Sequence, residues 1–266
     1  MGISVVVSVP SAVLLGSFLG LRNNASPFIL FPMLQASLVG FTAAIAASPY
    51  VNKPYLFGKT ALGDFPWWSY AIFHPYLFGL RTYVILRRMR NGEAVYNQVS
   101  PGLFVGGWPS GPNDLPPGNP AVVDCTCELP RPAHSDPREY LNIPTWDTRG
   151  PRPEDIEKAV RWAVKKREQE RPVYVHCAFG HGRSVAVMCA LMVALGLTES
   201  WSNAEKIIQR HRPRARLNKA QRESLQQWRP ETRSEGHGNL TVHYPPSRRV
   251  NHPGRNRLMH KRKSSL

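Results

Sequence analysis

The sequence predicts an α/β protein with a mostly parallel central sheet flanked by helices and preceded by an α-helical membrane hairpin. Two observations predict this fold class. From residue 98 onward, short β-like runs alternate with helical patterns, which favours parallel strands joined through helices. Residues 1–50 contain a single charged residue, Arg22, and two long apolar stretches, which is typical of membrane-associated helices.

The apolar stretches cover residues 3–21 and 27–47, each close to the ~20 residues that a membrane-spanning helix needs. Pro10 and Pro32 kink such helices without preventing insertion. The alternatives are a cleaved targeting peptide and a buried helical hairpin, although the first stretch lacks the basic start of a signal peptide. A third stretch, 66–86, opens with aromatic residues and contains an arginine, which indicates a helix lying in the membrane interface.

Basic residues predict the orientation of this segment. Arg22 alone lies between the two apolar stretches, whereas six lysines and arginines lie between residues 53 and 90. The preference of basic residues for the inner side of a membrane places the chain after residue 50 in the cytosol or another reducing compartment. The four cysteines do not form a disulfide framework in a chain of this size, which fits the same compartment.

The net charge of +16 predicts anionic partners, either a membrane surface or phosphorylated substrates. Nucleic acid is not expected, because the sequence shows no single basic stripe and no zinc-finger spacing. Residues 231–266 are polar and basic, and we expect a disordered tail that binds anionic lipid or serves as a nuclear-localisation segment. The oligomeric state is left open.

The second part of the chain contains four predicted strands and four predicted helices. A capping box of Ser202 with Glu205 predicts the start of the third helix, and Asn218 with Gln221 predicts the start of the fourth. The apolar run before Gly196 predicts a helix buried on all sides. The predicted strands are 103–106, 121–126, 140–144 and 172–176, and the helices begin at 153, 184, 202 and 218.

The sequence around Cys177 reads Val-Tyr-Val-His-Cys-Ala-Phe-Gly-His-Gly-Arg-Ser. A predicted strand rich in β-branched residues ends at Cys177, which places this residue at the edge of the sheet. An apolar helix follows Arg183. Five residues between them are predicted to wrap a tetrahedral oxyanion with their amides, while the helix directs its dipole and first N–H groups at the same point. Arg183 adds a planar two-pronged donor. These five residues are Ala178, Phe179, Gly180, His181 and Gly182.

The same surroundings are expected to activate the Cys177 thiol. A helix N-terminus and a nearby cation lower the pKa of a cysteine, so we expect a thiolate at neutral pH. Ser184 is placed to donate a hydrogen bond to the sulfur, and His176 to steady the loop through a backbone contact.

A second Cys-x5-Arg match, from Cys125 to Arg131, has no glycine, and Pro130 removes an amide, so it cannot form a cradle. The spacing of Cys125 and Cys127 is explained better by alternation along a predicted strand than by a metal site. No metal or cofactor is expected.

The run His-Cys-x5-Arg-Ser resembles the signature of the protein tyrosine phosphatase superfamily, in particular its dual-specificity branch. The resemblance covers about residues 98–230, including 99–107, which is similar to the branch's first strand, and Arg216-Leu217-Asn218, which is similar to the loop before its last helix. Together with the apolar N-terminal stretches and the basic tail, it predicts three parts: 1–94 (membrane-associated), 95–230 (catalytic) and 231–266 (tail). It also implies a metal-independent phosphatase that forms a phosphocysteine, with Asn218 in a supporting role.

The resemblance further implies a mobile carboxylic acid that protonates the leaving oxygen. Asp147 matches this position in order and context, and Gly150 beside it suits a hinged loop. A solvated loop aspartate is the alternative for Asp147. Asp155 is a second candidate for the acid, and Asp124 is less suited because it lies within a strand. His181 is expected either to contact a second anionic group of the substrate or to face solvent.

The leading interpretation is therefore a membrane-tethered phosphatase whose substrate is a phosphotyrosine, phosphoserine or phosphothreonine protein, or a phospholipid. One competing hypothesis is a catalytically silent phosphate-binding or scaffold protein. Another is a thiol-dependent enzyme similar to arsenate reductase, which would need a resolving cysteine such as Cys125 or Cys127.

Overall fold

The computed structural model describes residues 2–228, which contain seven α-helices and five β-strands. The predicted tail, 231–266, lies outside the described residues. The helices are α1 (Ile3–Leu21), α2 (Pro27–Ala46), α3 (Trp67–Asn91), α4 (Pro153–Glu168), α5 (Arg183–Ala194), α6 (Trp201–His211) and α7 (Lys219–Gln227). The strands are β1 (Tyr96–Ser100), β2 (Leu103–Gly106), β3 (Ala121–Thr126), β4 (Tyr140–Thr145) and β5 (Val173–His176).

The five strands form one mixed sheet in the order β1-β2-β5-β3-β4. Strands β2, β5, β3 and β4 run parallel to their neighbours, and only the edge strand β1 is antiparallel. The predicted fold class is confirmed. Strand β1 was not predicted as a separate strand: the chain reverses at Gly102, where φ is +71°, so two strands form where the sequence predicted one.

Helix α5 is the central helix of this domain. All of its residues from Arg183 to Met192 are buried, and Gly196 follows it in a left-handed conformation with φ +68°. The predicted all-round burial is confirmed. Asn218 and Gln221 form the expected capping box of α7, but the predicted box at Ser202 is wrong, because α6 is capped two residues earlier, where Ser200 accepts a hydrogen bond from the Asn203 amide.

Helices α1 and α2 form a hairpin, and both are long and apolar enough to cross a membrane by length and composition. They approach closely at Gly40, where a Cβ atom would lie 2.0 Å from Ser11 Oγ. Ser37 Oγ also donates a hydrogen bond of 2.9 Å to Ser11 O. Large apolar side chains of the hairpin are exposed on its outer surface, namely Val5, Val6, Val9, Val13, Leu19, Leu21, Phe28, Ile29, Phe31, Leu38 and Ile45.

The third apolar stretch forms α3, which extends to Asn91 rather than ending at residue 86 as predicted. One side of α3 is buried against α2 and against the sheet domain. The N-terminal half of α3 packs in a cluster with Val39 and Ala43 of α2 and with Trp146, and the C-terminal half packs against Ala178. The helices that precede residue 94 are therefore in direct contact with the domain that follows.

A buried ion pair anchors the connection between α2 and α3 to the sheet. Lys59 Nζ lies 2.7 Å from Asp124 Oδ2 and donates to Thr126 O at 2.9 Å, and Tyr140 Oη donates to the same carboxylate at 2.7 Å. Burial alone would raise the pKa of Asp124, but the Lys59 ammonium, with His176 and these hydrogen bonds, holds it below its ordinary value.

We predict that Lys59→Met lowers the free energy of unfolding by about 3–5 kcal/mol, because it leaves the Asp124 carboxylate buried and unpaired. The control is Lys219→Met, which removes a pair whose side chains are 92% and 52% exposed and should cost less than about 1 kcal/mol. Denaturant unfolding of the full chain in detergent measures both values. Equal costs for the two variants would contradict the structural role of Lys59.

Candidate active site

The candidate site lies at the carboxyl end of the central strand β5, in the loop of residues 177–182, here called the anion loop. Its backbone carbonyls are held outward by neighbours. Trp108 N donates to Ala178 O at 3.1 Å, and Arg216 N donates to His181 O at 2.8 Å. The buried Arg212 donates to Phe179 O at 2.7 Å and to Gly180 O at 3.0 Å.

Outward carbonyls turn the following amides inward, because C=O and N–H point in opposite directions across a trans peptide. The amides of residues 179–182 therefore face the inside of the anion loop, as an oxyanion cradle requires. Gly180 has φ +76°, and a Cβ atom there would lie 2.4 Å from the carbonyl carbon of Gly106. Only glycine fits this position. Helix α5 begins directly after Gly182 and adds its N-terminal amides to the same point.

The thiol of Cys177 points into this ring. Its sulfur accepts hydrogen bonds from Gly180 N at 3.2 Å and from Ser184 Oγ at 3.3 Å. Burial opposes ionisation, but the Arg183 guanidinium and the hydrogen bonds from Ser184 together hold the pKa of Cys177 below the ordinary thiol value. The geometry expected for Cys177 and Ser184 is present.

Arg183 is buried beside the sulfur and is fixed by a carboxylate that the sequence analysis did not single out. Its Nη1 donates to Glu128 Oε2 at 3.0 Å and to Thr145 O at 2.7 Å, and its Nη2 lies 2.8 Å from Glu128 Oε1. Burial lowers the pKa of a guanidinium, but Glu128, Asp147 and Cys177 raise that of Arg183 well above its ordinary value.

One edge of the Arg183 guanidinium remains available. Nε and Nη2 are buried and have no hydrogen-bond partner among residues 2–228, although Nη2 lies within ion-pair distance of Glu128. Buried donors are rarely left unpaired, so this edge requires an acceptor. Two adjacent N–H groups match two oxygens of a phosphate.

Asp147 lies next to this edge. It follows β4, its Oδ1 lies 3.4 Å from Arg183 Nη2, and 44% of its side chain is exposed. The structure thus brings Cys177, Arg183 and Asp147 together. The other candidate acids are bound elsewhere: Asp155 pairs with Arg152 at 2.8 Å in the first turn of α4, and Asp124 pairs with Lys59.

The loop that carries the acid, residues 146–150 and here called the acid loop, is held from two sides. From α7, Asn218 Nδ2 donates to Thr148 O at 2.9 Å. From the hairpin, Ile3 N donates to Thr148 Oγ1 at 3.1 Å, and Ala47 O accepts two hydrogen bonds from Arg149 at 2.9 and 3.1 Å. The hairpin contacts were not predicted.

The two histidines beside Cys177 have different surroundings. His176 is buried, stacks on Tyr174 at 5.5 Å and places Nδ1 3.4 Å from Cys177 O, which is the expected backbone contact. His181 has a partner that was not predicted: its Nε2 lies 2.8 Å from Glu93 Oε2, and its side chain is 24% exposed. Burial lowers the pKa of both imidazoles, although Asp124 and Glu93 oppose the shift.

The second Cys-x5-Arg match forms no comparable loop. Cys125 and Cys127 are fully buried, and burial raises the pKa of both thiols well above the ordinary value. Arg131 donates to Leu62 O at 2.8 Å and to Ser135 O at 3.0 Å. Within residues 2–228, no group of three His, Cys, Asp or Glu side chains has the arrangement of a metal site.

Glu128 and Arg212 are the functional residues that sequence reasoning missed. Glu128 follows the predicted strand 121–126, and the carboxyl ends of parallel strands share one edge, so its position was a usable signal. Arg212 lies in the run Arg210-His-Arg-Pro-Arg, where no feature of the sequence separates it from its basic neighbours.

We predict that iodoacetamide alkylates Cys177 with a rate whose pH midpoint lies below the ordinary thiol pKa, because the reagent reacts with the thiolate. Ser184→Ala removes a hydrogen bond to the sulfur and should shift this midpoint to higher pH. Cys177→Ser is the control and should abolish the reaction at low pH, since the pKa of the buried Cys189 is raised. A midpoint at the ordinary value, unchanged in Ser184→Ala, would contradict the site geometry.

Comparison with known proteins agrees with this geometry. Residues 120–231 match the family model of the dual-specificity phosphatase catalytic domain. No curated protein sequence matches the chain. Among solved structures, PTPMT1 in complex with PI(5)P is 18% identical with a TM-score of 0.44, covering 50% of this chain and 94% of its own.

Two further solved structures are similar over about half of the chain. Tk-PTP in its active form is 23% identical with a TM-score of 0.45, and the match covers 50% of this chain and 94% of that one. Human DUSP28 is 20% identical with a TM-score of 0.45, covering 51% and 93%. Residues 120–231 are thus similar to the catalytic domain of the dual-specificity branch of the protein tyrosine phosphatase superfamily.

Proposed function

We propose that Cys177, Arg183 and Asp147 hydrolyse phosphomonoesters through a phosphocysteine intermediate. The observation that carries this proposal is the Nε–Nη2 edge of Arg183, which interacts with the Cys177 sulfur: Nε has no hydrogen-bond partner among residues 2–228, and Nη2 lies 3.4 Å from Asp147. A phosphoryl group bound there receives hydrogen bonds from two guanidinium donors and from the inward amides of residues 179–182 in the anion loop. Its phosphorus then faces the thiolate.

In the first step, the Cys177 thiolate attacks phosphorus and the bond to the ester oxygen breaks. The electron pair stays on the leaving oxygen, which takes a proton from Asp147, so an alcohol or phenol departs. The amides and Arg183 stabilise the charge that develops on the equatorial oxygens in the transition state.

In the second step, water attacks the phosphocysteine and gives a proton to the Asp147 carboxylate. The sulfur–phosphorus bond breaks, inorganic phosphate leaves, and sulfur departs as a thiolate. Ser184 Oγ, 3.3 Å from the sulfur, stabilises that thiolate. His176 and Asn218 support this arrangement through the backbone of the anion and acid loops.

The substrate is a phosphorylated protein or a phospholipid, with phosphotyrosine, phosphoserine and phosphothreonine all compatible with a short catalytic domain. A catalytically silent phosphate-binding protein is disfavoured by the assembly of nucleophile, clamp and acid at one point. An arsenate reductase-like mechanism is disfavoured because Cys125 and Cys127 are fully buried and their thiol pKa values are raised.

We further propose that the α1–α2 hairpin tethers the enzyme to a membrane. Support comes from the length of the two helices, the lack of charged residues in Ile3–Leu21 and Pro27–Ala46, and the exposure of their large apolar side chains. In this proposal the catalytic domain lies on the cytosolic side or in another reducing compartment, which the basic residues after α2 support.

We predict that Asp147→Asn lowers kcat for an alkyl phosphate by about 10²–10⁴-fold, because a poor leaving group depends on the proton donor. An aryl phosphate with an acidic phenol should lose far less. Asp155→Asn is the matched control and should leave both rates unchanged. Steady-state assays of the full chain in detergent measure the four rates, and an equal loss with both substrates would rule out Asp147 as the acid.

A further inference from the structure

We infer that the catalytic cleft opens at the bilayer surface and that the substrate is the phosphomonoester headgroup of a lipid that remains in the membrane. This inference rests on the proposed phosphatase function and adds the substrate class. It follows from the positions at which the hairpin and α3 contact the acid loop and the anion loop.

Both ends of the hairpin contact the acid loop. The first residue of α1, Ile3, donates its amide to Thr148, and the residue after α2, Ala47, accepts two hydrogen bonds from Arg149. Thr148 and Arg149 directly follow the proposed general acid, Asp147. The base of the hairpin therefore lies directly beside the acid loop, which carries the proposed general acid.

The tip of the hairpin is far from this base. A helix of 19 residues, the length of α1, extends up to about 28 Å at 1.5 Å per residue. Because the exposed apolar side chains lie along this extent, inserting the hairpin into a bilayer brings its base, and with it the acid loop, to the membrane surface. Phosphorylated headgroups of lipids lie at that same level.

Helix α3 continues the apolar surface beside the cleft. Its inner side packs on the anion loop, where Val84 and Leu80 join Ala178 and Phe179 in one cluster. On its outer side, Trp67, Phe78 and Met89 are 81%, 63% and 75% exposed. These three residues recur every eleven positions, which places them on one line along a helix.

Basic side chains at the end of α3 complement an anionic surface. Arg87 and Arg90 are exposed within the last two turns of the helix, whereas Arg88 pairs with Asp114. The Arg87 guanidinium stacks 4.4 Å from the ring centroid of Phe179 in the anion loop. The end of α3 therefore combines cations, exposed apolar groups and direct contact with the loop that binds phosphate, as expected for an element at the headgroup level.

These features favour a lipid over a phosphoprotein. A lipid is confined to the same bilayer as the hairpin, so tethering raises its effective concentration at the cleft. A phosphoprotein arriving from solution makes no use of an apolar line on α3 that faces away from the anion loop. We expect the exposed line of Trp67, Phe78 and Met89 to face the acyl chains of the lipids around the substrate.

The test uses the full chain reconstituted in phosphatidylcholine vesicles that contain phosphatidic acid, the simplest lipid phosphomonoester. Turnover is compared with that of a short-chain, water-soluble phosphatidic acid, a phosphopeptide and an aryl phosphate. The variant is Phe78→Gln/Met89→Gln, which keeps the hairpin and every residue of the site. The matched control is Leu197→Gln, an exposed apolar residue of the catalytic domain that lies just after α5.

We expect phosphatidic acid in vesicles to be preferred over its short-chain form and over the phosphopeptide. The α3 variant should lower vesicle turnover by about tenfold, the value of one buried aromatic side chain, and leave aryl phosphate turnover unchanged. Leu197→Gln should change neither rate.

Two results would overturn the inference while leaving the phosphatase intact. One is hydrolysis of the phosphopeptide with no hydrolysis of vesicle phosphatidic acid. The other is an α3 variant whose vesicle turnover equals that of the unmodified chain. Failure of the unmodified chain on every substrate, including the aryl phosphate, would instead refute the proposed function on which the inference depends.

Discussion

The buried ion pair between Arg183 and Glu128 is the interaction on which the site depends. A guanidinium that is 1% exposed is costly to bury, and Glu128 offsets that cost while fixing the plane of the group. Glu128 contacts Nη1 and Nη2, and Nε is left without a hydrogen-bond partner among residues 2–228. The same cation lowers the pKa of Cys177. The Arg183–Glu128 pair therefore orients the guanidinium that binds phosphate, and that guanidinium in turn favours the thiolate of Cys177.

The anion loop keeps its shape through contacts outside itself. Arg212 draws two loop carbonyls outward, and it also binds Asn97 in β1 at 2.6 Å. Gly180 fits against the backbone of β2 with no room for a side chain. The cradle is thus preorganised by the sheet and by α6, so little reorganisation is needed when an oxyanion binds. Helix α3 and the hairpin extend this support to Phe179 and to the acid loop.

Much of this arrangement could be predicted from the sequence because its causes are local. The strand, two glycines and apolar helix around Cys177 specify the loop, and the alternation of elements specifies a mostly parallel sheet. The partners of the loop could not be predicted in the same way. Glu128, Arg212 and Glu93 reach it over long separations in sequence, and the unexpected pairing of His181 with Glu93 follows from the way α3 packs. The hairpin contacts with Thr148 and Arg149 depend equally on tertiary packing.

The most direct test of this account is a structure of the Cys177→Ser protein with tungstate, a dianion of phosphate-like shape. The account predicts the ion within the anion loop, with Arg183 Nε and Nη2 each donating to one oxygen and the amides of residues 179–182 donating to the others. Asp147 should lie beside the outermost oxygen. An ion bound elsewhere, with Arg183 turned out of the loop, would contradict the account.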